Sequence, residues 1–360
     1  RKISSFFGAT ATLIDYRHET NIVYDGQKRV TGLTSRSYAD ATEAAAKLLD
    51  VTTTVSENFD ATSGVAGKIT QVTYSDDAMN NVTGVKVIAN TNIQPSGNVW
   101  DTTVTNYKTS SMNAATDVLT LTGNELYQDT IHNASFDDYG NAGIVTIVTK
   151  NYKAGSFSEF ASARKIENNS FDVYNRMMTS VVTNYKESAM TNVASIQKIY
   201  VDAVAGYDSF GNVLKEKIDT FDSTGTGLID SKDILNTYGT DLSKRRGNPT
   251  HSETVRYNSV SSHVDATRID KVTVDNTIDS LGRITHQSIK NYSYKTDKTL
   301  GTQTGSQEID NVAFNELGDA KERKISSFFG ATATLIDYRH ETDILYDGQN
   351  RGTSLTSRSY

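Results

Sequence analysis

One stretch of 38 residues occurs twice in this chain. Residues 1–38 read RKISSFFGATATLIDYRHETNIVYDGQKRVTGLTSRSY, and residues 323–360 repeat them without a gap at 33 of 38 positions. The five differing pairs are Asn21/Asp343, Val23/Leu345, Lys28/Asn350, Val30/Gly352 and Gly32/Ser354. A copy this close predicts that the same local fold and the same surfaces return after 322 residues. We therefore expect the chain to be a piece of a longer repetitive polypeptide.

A shorter period lies inside this 322-residue cassette. A motif of the form aromatic–Asp–x–x–Gly–Asn/Arg–apolar recurs, and a second aromatic residue follows ten positions after the glycine. The motif residues are Tyr24, Asp25, Phe171, Asp172, Tyr207, Asp208, Gly211, Asn212, Ile278, Asp279, Gly282 and Phe314. The closing residues are Tyr38, Tyr74, Tyr107, Tyr152, Tyr185, Phe221, Tyr257, Tyr292, Phe328 and Tyr360. They divide the cassette into nine units of about 36 residues, which is typical of stacked-repeat architectures.

The residues of one unit predict a β-hairpin. Asp–x–x–Gly–Asn is turn chemistry, because Asp bonds its own downstream backbone and Gly or Asn tolerates a positive φ. Strand-like runs flank this turn on both sides. We expect the motif aspartates to accept backbone N–H bonds within their own turns, and the aromatics before them, Tyr24, Phe171 and Tyr207, to be buried. Hydrophobic alternation is imperfect along the second strand, which indicates either a β-bulge or burial of both strand faces. We predict an all-β chain of tandem hairpins, one array over residues 1–360 that forms a continuous spiralling sheet, tube or solenoid.

Composition supports β-structure with a thin core. Apolar residues make up 36% of the chain, whereas ordinary domains contain about 45–50%. The 19 tyrosines and the frequent Val and Thr residues suit a pleated, half-buried surface. The net charge of −7 argues against a nucleic-acid partner, and the absence of cysteine excludes disulfides and thiolate metal sites. No apolar run reaches the ~20 residues of a membrane-spanning helix.

The repeated motif resembles the YD repeat of the RHS and teneurin-like proteins. Tyr24–Asp25, Phe171–Asp172, Tyr207–Asp208 with Gly211–Asn212, and Ile278–Asp279 with Gly282–Arg283 carry the resemblance. It implies hairpins joined edge to edge into one long sheet that spirals into a hollow shell. It also implies an extracellular setting and a structural, adhesive or encapsulating role. The units here are longer than is usual in that family, and no terminal autoproteolytic or toxin segment is present in this sequence.

One stretch has the spacing of a calcium loop. Oxygen-bearing residues stand at its positions 1, 3, 5, 9 and 12, with glycine at position 6. They are Asp222, Thr224, Thr226, Asp230 and Asp233. Because two threonines replace the usual acidic residues, the alternative is a polar loop without metal. Calcium is the one cofactor that the sequence suggests.

No pattern of residues predicts catalysis. The six histidines lack metal-ligand spacing, and no phosphate loop or Ser–His–Asp elbow stands out. We expect a non-enzymatic structural protein of an extracellular filament, tube or cell-surface fibre, whose partners are further copies of its own repeat. One alternative is an adhesin that binds a glycan or protein through loops at Lys108–Leu126 and Gly301–Gln307. The other is an RHS-like shell that encapsulates a toxin. The segment Asp40–Leu49 has the composition of one short helix.

Overall fold

Nearly all of the described chain is β-structure. The computed structural model describes residues 1–7, 12–38, 41–108, 121, 123–260, 263–314, 319–346 and 352–360. These residues form 21 strands, one short helix, α1 (Asp241–Arg246), and two three-residue 3-10 turns at Ala45–Lys47 and Asp265–Thr267. The all-β prediction is confirmed. The chain forms two compact units, and each is described by itself.

The first compact unit contains mainly residues 1–168. Its strands are β1 (Lys2–Phe7), β2 (Thr12–Tyr24), β3 (Val30–Tyr38), β4 (Leu48–Phe59), β5 (Ala66–Tyr74), β6 (Val82–Ile93), β7 (Val99–Tyr107), β8 (Glu125–Phe136), β9 (Ala142–Lys153) and β10 (Ser156–Phe171). Each strand pairs antiparallel with the strand before it in the sequence. This pairing of sequence neighbours is the pattern of tandem hairpins.

The second compact unit contains mainly residues 195–346. After β11 (Met177–Tyr185), its strands are β12 (Val193–Val201), β13 (Lys215–Phe221), β14 (Leu228–Thr237), β15 (His251–Tyr257), β16 (Arg268–Ile278), β17 (Ile284–Tyr294), β18 (Leu300–Phe314), β19 (Ala320–Phe329), β20 (Thr334–Tyr346) and β21 (Gly352–Ser359). From β13 to β21 each strand again pairs antiparallel with its predecessor. The prediction of one uninterrupted array through both compact units stays a prediction.

The predicted turn and closing positions mark the strand ends. The first motif residue ends the strand before the turn, as Tyr24 ends β2, Phe171 ends β10 and Phe314 ends β18. The closing aromatic lies at or near the end of the following strand, as Tyr38 does in β3 and Phe221 does in β13. Tyr207 differs, because β12 has already ended at Val201 and Tyr207 forms a single bridge with Val213. Both compact units therefore contain hairpins, and many of their strands end at or near the motif and closing positions.

The two copies of the 38-residue stretch have the same strand pairing. Lys2 faces His18 across β1 and β2, and Lys324 faces His340 across β19 and β20. The other five pairs of β1 with β2 recur 322 residues later as well, including the bulge that precedes Phe6 and its counterpart Phe328, and Arg323 with Glu341 is one additional pair. The pairs of β2 with β3 recur in the same way in β20 with β21. The 38-residue stretch therefore has matching strand pairing in its two copies, and repetition of the whole cassette stays a prediction.

The core is thin. Val72, Val82 and Val85 form one small buried cluster, with Tyr74 and Tyr107 packed against it. Of the ten closing aromatics, Tyr38, Phe221 and Tyr257 are buried and Tyr360 is exposed. The other six are half-buried, namely Tyr74, Tyr107, Tyr152, Tyr185, Tyr292 and Phe328. The pairing register shifts by one residue beside several closing aromatics. The extra residue lies in the next strand, so a bulge accompanies the closing aromatic. Strands β3, β11 and β13 are also partly buried along both faces.

Two local predictions are wrong. The segment Asp40–Leu49 contains a 3-10 turn at Ala45–Lys47, and β4 begins at Leu48, which pairs with Tyr38 (Asp40 lies outside the described residues). Gly301–Gln307 is strand within β18 and no loop. In both places strand pairing overrides the local preference of the residues. Of the other proposed loop, Lys108–Leu126, residues 109–120 and 122 lie outside the described residues, and β8 begins at Glu125.

Candidate functional site: the junctions between hairpins

Each motif aspartate caps its own turn. Asp279 Oδ1 accepts hydrogen bonds from the backbone N–H groups of Leu281 and Arg283, both at 2.9 Å. Gly282 has a φ of +82°, which favours glycine, and its N–H donates to the Asp279 carbonyl at 3.1 Å. The same two carboxylate bonds occur at Asp25, Asp137, Asp172 and Asp208. The prediction that these aspartates accept backbone N–H bonds within their turns is confirmed.

The second carboxylate oxygen holds the side chain four residues later. Asp279 Oδ2 accepts from Arg283 Nε at 2.8 Å. Burial of the Asp279 carboxyl acts to raise its pKa, but the hydrogen bonds from Arg283 and Leu281 outweigh it, so the pKa lies below its ordinary range. Equivalent bonds join Asp25 to Arg29, Asp137 to Asn141, Asp172 to Arg176, and Asp208 to Asn212. Arg and Asn suit this position because both side chains can donate to the aspartate.

An arginine in this position also covers the first motif residue of the next hairpin. The Arg176 guanidinium lies over the Tyr207 ring, with Cζ 4.5 Å from the ring centre. Arg29 lies over Phe59 at 4.4 Å, and Arg283 lies over Phe314 at 4.3 Å. Since the aspartate fixes Nε, the guanidinium plane is oriented before the ring contacts it, which favours a cation–π contact.

These contacts correct the expected burial of the motif aromatics. Tyr24 is 52% exposed, so the prediction that it is buried is wrong. Phe171 and Tyr207 are half-buried, and Tyr207 also donates its hydroxyl hydrogen to the Met177 carbonyl. The ring of Tyr207 is covered by a side chain from the preceding turn and does not lie within a deep core. The burial argument from sequence assumed a core that the thin sheet does not provide.

An asparagine in the same position contacts the next turn in another way. Asn212 Nδ2 donates to the Lys244 carbonyl at 2.8 Å, and Lys244 lies in α1. Asn248 Nδ2 donates to the Gly282 carbonyl, also at 2.8 Å. Helix α1 ends at Gly247, whose φ of +68° closes the helix in the left-handed conformation. Side-chain contacts therefore link the turns of neighbouring hairpins. Asn212 bonds the turn that contains α1, and Asn248, which follows α1, bonds the Asp279 turn.

A second set of contacts uses asparagines that sequence reasoning missed. Asn311 on β18 donates its side-chain N–H to the carbonyl of Ile284, the first residue of β17, at 2.8 Å. Equivalent bonds of 2.9–3.1 Å run from Asn90 to Ala66, Asn133 to Val99, Asn168 to Ala142, Asn236 to Val213, and Asn276 to Pro249. Four of these asparagines stand three residues before the first residue of a motif copy, so the sequence itself contains this signal. They are Asn90 before Ile93, Asn133 before Phe136, Asn168 before Phe171 and Asn311 before Phe314. Each one fastens a hairpin to the hairpin before it.

The structure does not bring the five calcium-loop positions together. Asp222 Oδ1 accepts from the N–H and the hydroxyl of Thr224, and these bonds lower the pKa of Asp222. Thr226 Oγ1 lies 2.7 Å from Thr224 Oγ1 in the same turn. Asp230 and Asp233 lie on β14, three residues apart and hence on opposite faces, where Arg256 and His263 respectively pair with them. The strand therefore separates oxygens that a calcium loop would gather around one ion.

One polar network has the composition of a catalytic triad. Ser231 Oγ lies 2.7 Å from His263 Nε2, and His263 Nδ1 lies 2.6 Å from Asp233 Oδ1. However, Ser231 has no exposed surface, and it donates to a second carboxylate, Asp219, at 2.6 Å. The His263 ring stacks on Tyr257 with centres 4.1 Å apart. A fully buried hydroxyl cannot reach a substrate, so this network fastens the segment around His263 to β13 and β14.

Two further observations concern metals and membranes. Within the residues that the structure describes, no group of three or more His, Asp or Glu side chains is placed to hold a metal ion. Among the same residues, no helix is long and apolar enough to cross a membrane.

Comparison with known proteins gives distant structural neighbours. No family profile and no curated protein sequence matches the chain. Among solved structures it is similar to a component of the Photorhabdus luminescens Tc holotoxin pore that contains a mutated TccC3, with 12% identity, a TM-score of 0.24, and coverage of 96% of this chain. It is also similar to the TcdB2–TccC3–TEV complex, with 11% identity, a TM-score of 0.16, and coverage of 98% of this chain. The chain spans about a fifth of the length of these neighbours (20% and 22%).

Proposed function

We propose that this chain is a structural repeat protein of an extracellular filament, tube or cell-surface fibre, and that it has no catalytic role. The observation that carries this proposal is the identical strand pairing of residues 1–38 and 323–360, including the bulges. Identical pairing offers identical edges and surfaces after each cassette. A chain of many cassettes would grow by a constant increment.

The contacts between hairpins support a load-bearing role. Charge-assisted bonds in each turn, arginine contacts with the next ring, and asparagine bonds to the previous strand link successive hairpins. Stability then depends mainly on contacts between neighbours, as in other repeat proteins. We propose further that the chain belongs among RHS/YD-repeat proteins, because the Asp-capped turn recurs with the motif that suggested this family.

The test is a series of chains that contain one, two and three copies of residues 1–322. Electron microscopy should show particles whose contour length rises by the same amount with each cassette, and denaturant unfolding should become steeper as the array lengthens. Compact particles of fixed diameter that enclose a lumen would support the encapsulating shell instead. Separate globules joined by linkers, each unfolding independently, would contradict a structural array. Specific retention on a glycan or protein surface without elongation would support the adhesin.

A further inference from the structure

We propose that the residue that follows the positive-φ residue of each turn selects which hairpin can follow. We call it the selector residue, and the selectors with described contacts to the next hairpin are Arg29, Asn98, Arg176, Asn212, Asn248 and Arg283. An arginine selector accepts a next hairpin whose motif begins with an aromatic ring. An asparagine selector accepts a next turn through its glycine. This inference rests on the proposed function, since it names the partner that each junction accepts.

The arginine junctions share one geometry. Arg29, Arg176 and Arg283 each lie over the first residue of the next motif, and that residue is aromatic each time. In two of these junctions the structure also describes the glycine of the next turn, and the space beside its Cβ position is empty. A Cβ built on Gly64, which follows Arg29, meets nothing within 4 Å, and the same holds for Gly211, which follows Arg176.

At two of the asparagine junctions the asparagine lies in the space that arginine leaves empty. Asn98 Oδ1 lies 3.1 Å from the position that a Cβ on Gly140 would take, and Asn212 Oδ1 lies 3.7 Å from the corresponding position on Gly247. Asn248 donates to the carbonyl of Gly282. An asparagine is too short to cover a ring, but its amide can bond a turn whose glycine lets the backbone approach closely.

The first residue of the next motif agrees with this division. After Asn248 that residue is Ile278, and after Asn212 it is Ser243, so neither offers a ring. Asn98 precedes Phe136, which is aromatic, yet Asn98 still contacts Gly140. The asparagine selector therefore contacts the next turn whether or not a ring is present, whereas each arginine selector covers the ring. Arg176 also donates from Nη1 to the carbonyl of Asp208 in the next turn.

The test is a double-mutant cycle in the full chain. Arg176→Asn keeps a donor to Asp172, and Tyr207→Leu removes the ring that Arg176 covers. Each single change should raise the unfolding equilibrium constant. In the double variant this constant should rise less than the product of the two single increases, by roughly two- to thirtyfold, which is the range of cation–π contacts. Tyr207→Phe is the control, since it keeps the ring and loses the hydroxyl bond to Met177. Effects that multiply without coupling would overturn the proposal.

A glycine pair gives an independent result if a cycle variant does not fold. Gly211 and Gly140 have φ values of +86° and +83°, a conformation that asparagine tolerates better than other residues do. Gly211→Asn should leave the unfolding midpoint almost unchanged, because nothing lies near its Cβ position. Gly140→Asn should lower the midpoint, because the Oδ1 atom of the selector Asn98 lies 3.1 Å from the position that its Cβ would take. Equal responses of the two variants would overturn the proposal, while failure of the cassette series to elongate would affect only the proposed fibre.

Discussion

Replacing Asp279 by alanine removes a carboxylate that accepts hydrogen bonds within its turn through both oxygens. The carboxylate accepts two backbone N–H bonds and one bond from Arg283, and its side chain is 20% exposed. A hydrogen bond to a charged group contributes about 1.5–3 kcal/mol when buried, and water partly replaces it at an exposed turn. Counting roughly 1 kcal/mol for each of the three bonds, we expect Asp279→Ala to lower the local free energy of unfolding by about 3 kcal/mol.

Native-state hydrogen exchange measures this loss where it occurs, in the amides of β16 and β17. The matched control is Asp265→Ala, because Asp265 is 76% exposed and pairs with Arg268 at the surface. Surface changes of that kind usually alter stability by less than about 0.5 kcal/mol. Asp279→Asn should fall between the two, since it keeps an acceptor oxygen without the charge. If Asp279→Ala and the control reduce protection equally, the turn aspartate does not hold the hairpin together.

Three further results are expected. Asn311→Ala should lower the free energy of unfolding by about 1 kcal/mol and Asn291→Ala by much less, because only the first change removes a bond to the preceding hairpin that the structure shows. Equal decreases of the urea midpoint in the two variants would contradict this. The side chains of Asn192 and Thr191, with their backbone N–H groups, hold the pKa of Glu187 at about 2, so its contribution to stability is present at neutral pH and is lost as the pH falls below about 4; Glu187→Gln should weaken this acid sensitivity in thermal melts. Calcium should not raise the melting temperature, and a rise that Asp222→Ala abolishes would show that the loop rearranges to bind the ion.

The periodic part of the fold could be predicted from the sequence. Turn chemistry and the closing aromatics depend on residues within about 15 positions of one another, so Asp279, Gly282 and Tyr292 already describe a hairpin. The contacts between hairpins join residues about 30 positions apart, such as Arg176 and Tyr207. Local patterns do not reveal which side chain crosses that gap, because it depends on how successive hairpins lie side by side.

The same limit explains the errors at particular sites. The calcium pattern from Asp222 to Asp233 has the correct spacing, but pairing between β13 and β14 holds the second half of the stretch in an extended strand. Burial of Tyr24 was expected from its aromatic ring, although no arginine from a preceding hairpin is described over it. In each case the local residue pattern is present, but contacts with neighbouring segments, which that pattern does not contain, determine the structure.

Engineered disulfides test most directly whether the cassette is the structural repeat. The chain has no cysteine, and Thr20 faces Thr34 across β2 and β3 as Thr342 faces Thr356 across β20 and β21. Opposed residues of antiparallel strands have Cα atoms about 4.5–5.5 Å apart, which a disulfide can span. Cysteines at Thr20 and Thr34, and at Thr342 and Thr356 in a second variant, should cross-link equally well under mild oxidation, while cysteines at Thr20 and Ser35 should not. Cross-linking in one copy without the other, or equal cross-linking of the shifted pair, would contradict a 322-residue structural repeat.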